Sequence, residues 1–405
     1  MSESMRLRHR AFATAFALLL ATSACGSDSD TAGPNTPAID ISKLDTGNYP
    51  TTPADIEQTR NYEAAVLREA IRIGNAMPLV MDVDNRFIFE PHQYFNRWFS
   101  SKFSPSFSGS GVNGEDFNSV APGLVVGWYT YGQRREEFDI GRSVAIYTLR
   151  FSNADQAAAA ARTLADRSVG EALQIPGYPA ARTTYRAKTE LGTPAMYTWL
   201  TKGDLVLHVR IDDPISTPFD PVPLADITRR AFDKQIEMLK NYAPTPADQI
   251  AALPLDVDGL LSRTLPLEKD NMPVDGSNPS AVYPKQAALH PENYPNLAKA
   301  AFDDAGVDYV AVGGAHIYRT RDAAGATRLL AAIETQVAAK YDKIDSPPNL
   351  PTAHCFDTKA GTASWSYPPM CLVPIDRYVA QIHGSNVQDM YQRAAAQYKL
   401  LSSAR

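Results

Sequence analysis

The sequence predicts an α+β protein of two tandem, similar domains, each an antiparallel-rich sheet with helices packed mainly on one face. Three observations carry this. Segments 143–168, SVAIYTLRFSNADQAAAAARTLADRS, and 314–340, GAHIYRTRDAAGATRLLAAIETQVAAK, share a strand containing Ile-Tyr, a short polar break and an alanine-rich helix. Each is followed by a Pro-containing stretch, a hairpin (AMYTWLTKGDLVLHVRI; ASWSYPPMCLVPIDRYVAQIHG) and a helix (ADITRRAFDKQIEMLKNY; NVQDMYQRAAAQYKLLSS), so the order β-α-β-β-α occurs twice. The helices are one-sided: Val387, Met390, Tyr391, Ala394, Ala395, Tyr398 and Leu401 recur at three- and four-residue steps, a stripe that needs a sheet to lie on.

The elements before the repeat follow in chain order. Arg6, Arg8 and Arg10 precede a run of about a dozen apolar or small residues, AFATAFALLLAT, too short for the roughly 20 that a spanning helix needs. Residues 1–24 therefore read as a signal peptide, with small residues Thr22, Ser23 and Ala24 leading into Cys25. Residues 25–50 are Gly-, Ser-, Asp-, Thr- and Pro-rich, a flexible stalk. The first domain is expected over 51–243, opening with a helix from Thr52-Pro53-Ala54-Asp55 to Ile73. After that helix, PLVMDVDNRFIFEP alternates as one or two strands, and GLVVGWYTYGQ pairs with GRSVAIYTLRF across a charged loop. A Pro-rich linker, 244–280, leads to the second domain, 281–405.

Export decides the cysteine chemistry. With Cys25 at the mature N-terminus, Cys355 and Cys371 remain, in a compartment where thiols oxidise, and a disulfide between them is expected. It closes a loop of about 17 residues, for which chain entropy gives roughly 3 kcal/mol. A zinc site of His354, Cys355, Cys371 and His383 is the rival reading, but it lacks short chelating spacings.

Composition restricts partners. The chain is 44% hydrophobic and 21% charged, enough apolar material for a substantial core. Removing residues 1–24 takes away three of 39 basic and one of 45 acidic residues, leaving a formal charge of −8. That argues against nucleic acid and against electrostatic adhesion to anionic lipid.

Motifs for chemistry are weak. GSGVNG, 109–114, matches G-x-G-x-x-G, but SSKFSPSFS precedes it where a buried strand is required, and Glu115-Asp116 follow where a pyrophosphate would be repelled. It reads as a flexible loop. Asp82-Val83-Asp84-Asn85 and Asp256-Val257-Asp258-Gly259 resemble the start of a calcium loop without its later ligands, and read as surface turns. Neither G-x-S-x-G nor H-E-x-x-H occurs. His208, His316 and His383 fall in predicted strands, where a backbone-bonded histidine is the commoner state. No catalytic residue, metal or cofactor is expected, and the enzyme question leans to no.

The one binding candidate is aromatic. FIFEPHQYFNRWFSSKF, 87–103, crowds Tyr94, Phe95 and Trp98, and Trp128, Tyr129 and Tyr131 follow on a strand. Such a cluster closes a core edge or lines a groove for a ligand.

Three resemblances rest on these residues. ATSACG, 21–26, resembles a bacterial lipobox, which implies diacylglycerol on the Cys25 sulfur and acylation, by palmitate for example, of its freed amine; secretion with Cys25 unmodified is the alternative. With LDTGNYPT at 44–51, the repeated body and the Cys355/Cys371 pair, the chain resembles a family of uncharacterised cell-envelope lipoproteins of mycobacteria, nocardiae and rhodococci. It is more weakly similar to the extracellular sensor domains of mycobacterial receptor kinases. The family implies no activity. The expectation is a lipoprotein anchored by its N-terminal lipid at the outer face of the cytoplasmic membrane, binding an unknown small molecule, lipid or protein. The alternatives are a secreted hydrolase of wall or lipid substrates and a structural or assembly role.

Overall fold

The computed structural model describes residues 39–91, 97–137, 140–187, 192–268, 279–362 and 367–403. The signal peptide, Cys25 and the stalk up to residue 38 lie outside the described residues.

Alternating and apolar runs become strands. In the first half these are β1 (Trp98–Phe99), β2 (Leu124–Gln133), β3 (Ser143–Phe151), β4 (Glu171–Ile175), β5 (Tyr178–Arg186), β6 (Ala195–Lys202) and β7 (Leu205–Asp212). The second half holds β8 (Ala281–Pro284), β9 (Tyr309–Val312), β10 (Ala315–Arg319), β11 (Tyr341–Ile344), β12 (His354–Thr358), β13 (Met370–Ile375) and β14 (Tyr378–His383). Two seven-stranded sheets form, in the orders β1-β2-β3-β7-β6-β5-β4 and β8-β9-β10-β14-β13-β12-β11, with antiparallel neighbours throughout. The orders are identical, so the repeat covers every strand and not only the β-α-β-β-α core. Each unit has an additional hairpin, β4–β5 and β11–β12, inside the Pro-containing stretches.

Registers match as well. The hairpin ends Lys202↔Leu205 and Ile375↔Tyr378 are equivalent, which places Cys371, paired with Cys355, at the position of Thr198, paired with Thr183. Cys355 and Cys371 are bonded, with Cα atoms 4.1 Å apart. The expected disulfide therefore staples one cross-strand rung of the second sheet.

The helices are α1 (Tyr62–Asn75), α2 (Val80–Val83), α3 (Gly114–Val120), α4 (Ala154–Arg167), α5 (Val222–Met238), α6 (Lys285–Leu289), α7 (Pro295–Ala305), α8 (Ala323–Val337) and α9 (Val387–Ser402). Asn153 caps α4 by accepting from the Gln156 N–H, and Asp322 caps α8 through Gly325. In the first half helices cover both faces of the sheet, where the sequence pattern suggested mainly one. The reason is that β7 is apolar at successive positions: Leu207 and Val209 join the core with Phe232 of α5, while Val206 joins Leu164 of α4.

Several local expectations change. The first helix begins at Tyr62, capped by Asn61, and not at Thr52: Asp55 caps a single 3-10 turn, Ile56–Thr59, and Arg60 then breaks helical geometry with its guanidinium on the Ala251 and Leu253 carbonyls. PLVMDVDNRFIFEP makes the short helix α2 and a loop instead of strands, because Leu79, Val80, Val83 and Phe87 reach the core from one tight turn. Phe89 alone forms an isolated bridge, with Gln133. GSGVNG is an ordered turn: Gly109 lies where a Cβ would meet the Tyr197 ring at 2.2 Å, and Asn113 caps α3. Residues 40–50, expected as stalk, pack on α9 with Leu44 buried.

A single core cluster runs through both halves, from Val66 and Ile71 of α1 through Trp128 and Ile146 to Phe302, Tyr318 and Val379. Helix α1 is its axis. A Cβ at Gly74 would sit 2.5 Å from the Trp128 ring, so only glycine permits the helix to approach β2 this closely. On the other side His290 donates through Nε2 to the Gly74 carbonyl at 2.9 Å and packs edge-on to Trp128 at 5.7 Å. The described part of the expected linker, 244–268, carries a 3-10 turn, Ala247–Ala252, and buried Leu255, Leu260, Leu261 and Leu265.

Candidate functional site

The pleat separates the aromatic residues singled out by the sequence. Trp98 and Trp128 point toward α1, and Trp128 is sealed between Gly74, Tyr283 and His290. Tyr129 and Tyr131 point the other way. Tyr129 stacks on Tyr147 at 5.4 Å and Phe99 at 5.5 Å beneath the Arg97 guanidinium, and Tyr131 donates to Gln133. The row continues through His208 to Trp199, whose rings stack at 3.7 Å, forming an aromatic rung across β2, β3, β7 and β6. Tyr94 and Phe95 lie outside the described residues. The described four thus do not form one patch, and Trp98 borders a cavity.

That cavity, about 560 Å³, lies where the start of α1 meets the crossing segment between the halves. Its size falls within the roughly 300–1,000 Å³ of small-molecule sites. Trp98, Leu255 and Leu261 are its buried wall, with Phe103 packed edge-on to Trp98 at 5.2 Å. Exposed Thr59, Asn61, Tyr62, Lys102 and Pro266 form the rim. Between wall and rim sit half-buried Glu63, which accepts from Ser100 Oγ at 3.0 Å, and Arg68. Arg68 donates from Nε to the Pro254 carbonyl at 2.9 Å and from Nη1 to the Val282 carbonyl. Burial lowers its pKa from the ordinary arginine value, and the guanidinium stays charged. Sequence reasoning missed this site, whose lining runs from residue 56 to residue 280. One signal was present: apolar positions 65–67, 70, 71, 73 and 74 wrap so much of α1 that Arg68 and Glu69 have little free surface left.

Residues 56–255 match the N-terminal, and residues 260–404 the C-terminal, domain of unknown function DUF7373. The chain belongs to the DUF7373 family. Leu255 and Leu261 flank the boundary between the two DUF7373 domains, so the cavity is lined from both. A search of curated proteins finds no match. Among solved structures, the extracellular domain of PknH from Mycobacterium tuberculosis is similar at 16% identity, over 39% of this chain and 90% of that chain, with a TM-score of 0.29.

The titratable groups of this DUF7373 chain are mostly committed elsewhere. Burial lowers His208 and His290 to about 3, so both are neutral, and each bonds a backbone carbonyl, of Thr198 and Gly74. His354 Nδ1 lies 2.5 Å from Glu334 Oε1, and Gln381 bridges Tyr318 and His383. Among the described residues no histidine bonds both a serine and a carboxylate, the arrangement a hydrolytic triad needs; His92 lies outside them. Asp82 turns back to the Leu79 N–H, and Asp256 accepts from the N–H groups of Val257, Leu261 and Ser262, so both acids shape turns.

Proposed function

We propose that the chain is a non-catalytic, membrane-anchored lipoprotein of an actinobacterial cell envelope that holds a small ligand by its apolar part in the cavity between its two DUF7373 domains. The observation that carries the binding reading is the cavity itself, a 560 Å³ space with an indole and two leucines in its wall, lined by both domains. The anchoring reading is supported by the short apolar leader and the ATSACG stretch ending in Cys25-Gly26. The Cys355–Cys371 disulfide accords with an oxidising compartment. Mass spectrometry of native protein extracted gently from membranes tests both parts: acyl chains on residue 25 and a co-purifying small molecule are expected. Protein retaining residues 1–24 overturns the anchor, and protein free of ligand that takes up no amphiphile overturns the binding reading.

A further inference from the structure

Resting on the binding reading, we infer that the cavity takes an anionic amphiphile, its apolar tail against Trp98, Leu255 and Leu261 and its negative head group at Arg68 and Lys102. The polarity of the lining is graded: buried apolar residues form the wall, and cations stand at half depth and at the rim. This gradient fits a molecule with one greasy and one charged end and suits neither a uniformly polar nor a uniformly apolar ligand.

The sign of the head group follows from which charges are committed. The buried arginines of the described fold are paired with carboxylates: Arg97 with Glu90, Arg142 with Asp213, Arg150 with Glu69 and Asp204, and Arg393 with Glu268. Among the described residues Arg68 and Lys102 have no carboxylate within ion-pair distance. The two carbonyls that bind Nε and Nη1 of Arg68 hold the guanidinium in place, and its Nη2 donates to no described residue. Lys102 lies over the Phe103 ring at 5.1 Å, which positions an exposed ammonium beside the apolar wall. Two acids are near. Glu63 is engaged by Ser100, and Asp256, whose charge Arg68 feels, is saturated by three backbone N–H groups. The lining thus presents two cations to one carboxylate. A carboxylate or phosphate head accepts from a fixed guanidinium with charge-assisted bonds, whereas a cationic head meets net repulsion.

The test uses the full exported chain carrying Cys25→Ser, which needs no detergent to stay in solution. Dodecanoate, dodecanol and dodecyltrimethylammonium are titrated calorimetrically below their micelle concentrations. Dodecanoate is expected to bind about tenfold tighter than dodecanol, and the ammonium more weakly than either. Lys102→Gln is expected to lower dodecanoate affinity about tenfold and leave dodecanol unchanged. Because Lys102 is exposed, that variant keeps the fold even where Arg68→Gln, which also breaks two carbonyl bonds, does not. Equal binding of all three probes, or insensitivity of dodecanoate to Lys102→Gln, overturns the anionic head and leaves the cavity reading standing. Binding of none overturns both.

Discussion

The Tyr49 hydroxyl donates to the Asp389 carboxylate across 340 residues of sequence, joining the segment before α1 to the first turn of α9. Around this bond Arg393 lies 5.1 Å from the Tyr49 ring, Gln392 reaches Asp45, and Lys399 reaches the Leu44 carbonyl. LDTGNYPT is therefore a strap that fastens the start of the fold to its end. Burial opposes ionisation of Asp389, but the bonds from Tyr49 and Ser385 and the Arg393 charge outweigh it and hold the carboxyl below its usual range. Tyr49→Phe is expected to cost about 1–2 kcal/mol in urea unfolding at pH 7. A depressed carboxyl stabilises above its unfolded pKa, so the cost should shrink as pH falls below about 4. A pH-independent loss would contradict the role given to the bond.

Glu69 is fully buried on α1 and is the most heavily bonded acid of the core. Its carboxylate receives Arg72 at 2.9 Å, Arg150 at 3.1 Å, the Tyr242 hydroxyl at 2.5 Å, and the Thr245 N–H and hydroxyl at 3.0 and 2.7 Å. Removing it leaves the Tyr242 hydroxyl and Thr245 without their buried acceptor and Arg150 with Asp204 alone, while partly exposed Arg72 can turn to water, so Glu69→Ala is expected to cost about 2–4 kcal/mol, read as a lowered urea midpoint. A loss below about 1 kcal/mol would mean that water replaces the carboxylate and that the cluster is not dry.

The strands β2, β3, β6, β7, β13 and β14 are legible in the sequence because apolar and β-branched residues mark their buried positions, and Gly203 and Asp376 mark the hairpin turns with positive φ. The edge hairpin β4–β5 is hidden. Four of the five β4 residues are not buried, so no burial pattern betrays them. Alternation over 78–91 misleads because a one-turn helix satisfies the same inward positions as a strand. The Cys355–Cys371 rung is legible from compartment chemistry alone. Among the aromatics the sequence cannot say which side of the pleat each takes, since that depends on where α1 lands. The cavity is least legible, for Arg68, Trp98 and the pair Leu255 and Leu261 belong to three separate segments, the last of them the crossing chain that brings the others together.

The disulfide lies opposite Thr183–Thr198 in the repeat, which offers a conservative replacement. Cys355→Thr with Cys371→Thr should preserve the rung and fold, at a cost of about 2–4 kcal/mol through the freed unfolded chain. Dithiothreitol is expected to lower the thermal midpoint of the native protein to that of the double variant and to leave the variant itself unmoved. A further drop in the variant would show that reduction acts at another site.

Two pH limits follow from burial. His208 and His290 are held neutral, with pKa about 3 against an ordinary value near 6.5, so the unfolded chain binds protons first. Stability is fully present above about pH 6.5 and should fall by roughly 1.4 kcal/mol per pH unit for each histidine as pH drops toward 3. His290→Gln keeps a donor for the Gly74 carbonyl and should remove one histidine's share of that slope. Glu292 sets the opposite limit. Burial raises its carboxyl to about 7, so the folded state holds its proton longer than the unfolded one, and stability is lost as pH rises from about 4.5 through 7. Glu292→Gln should therefore unfold with the native chain at pH 4 and be more stable by on the order of 1–2 kcal/mol at pH 8, read from urea midpoints. Equal midpoints at pH 8 would show that the carboxylate reaches water when it ionises.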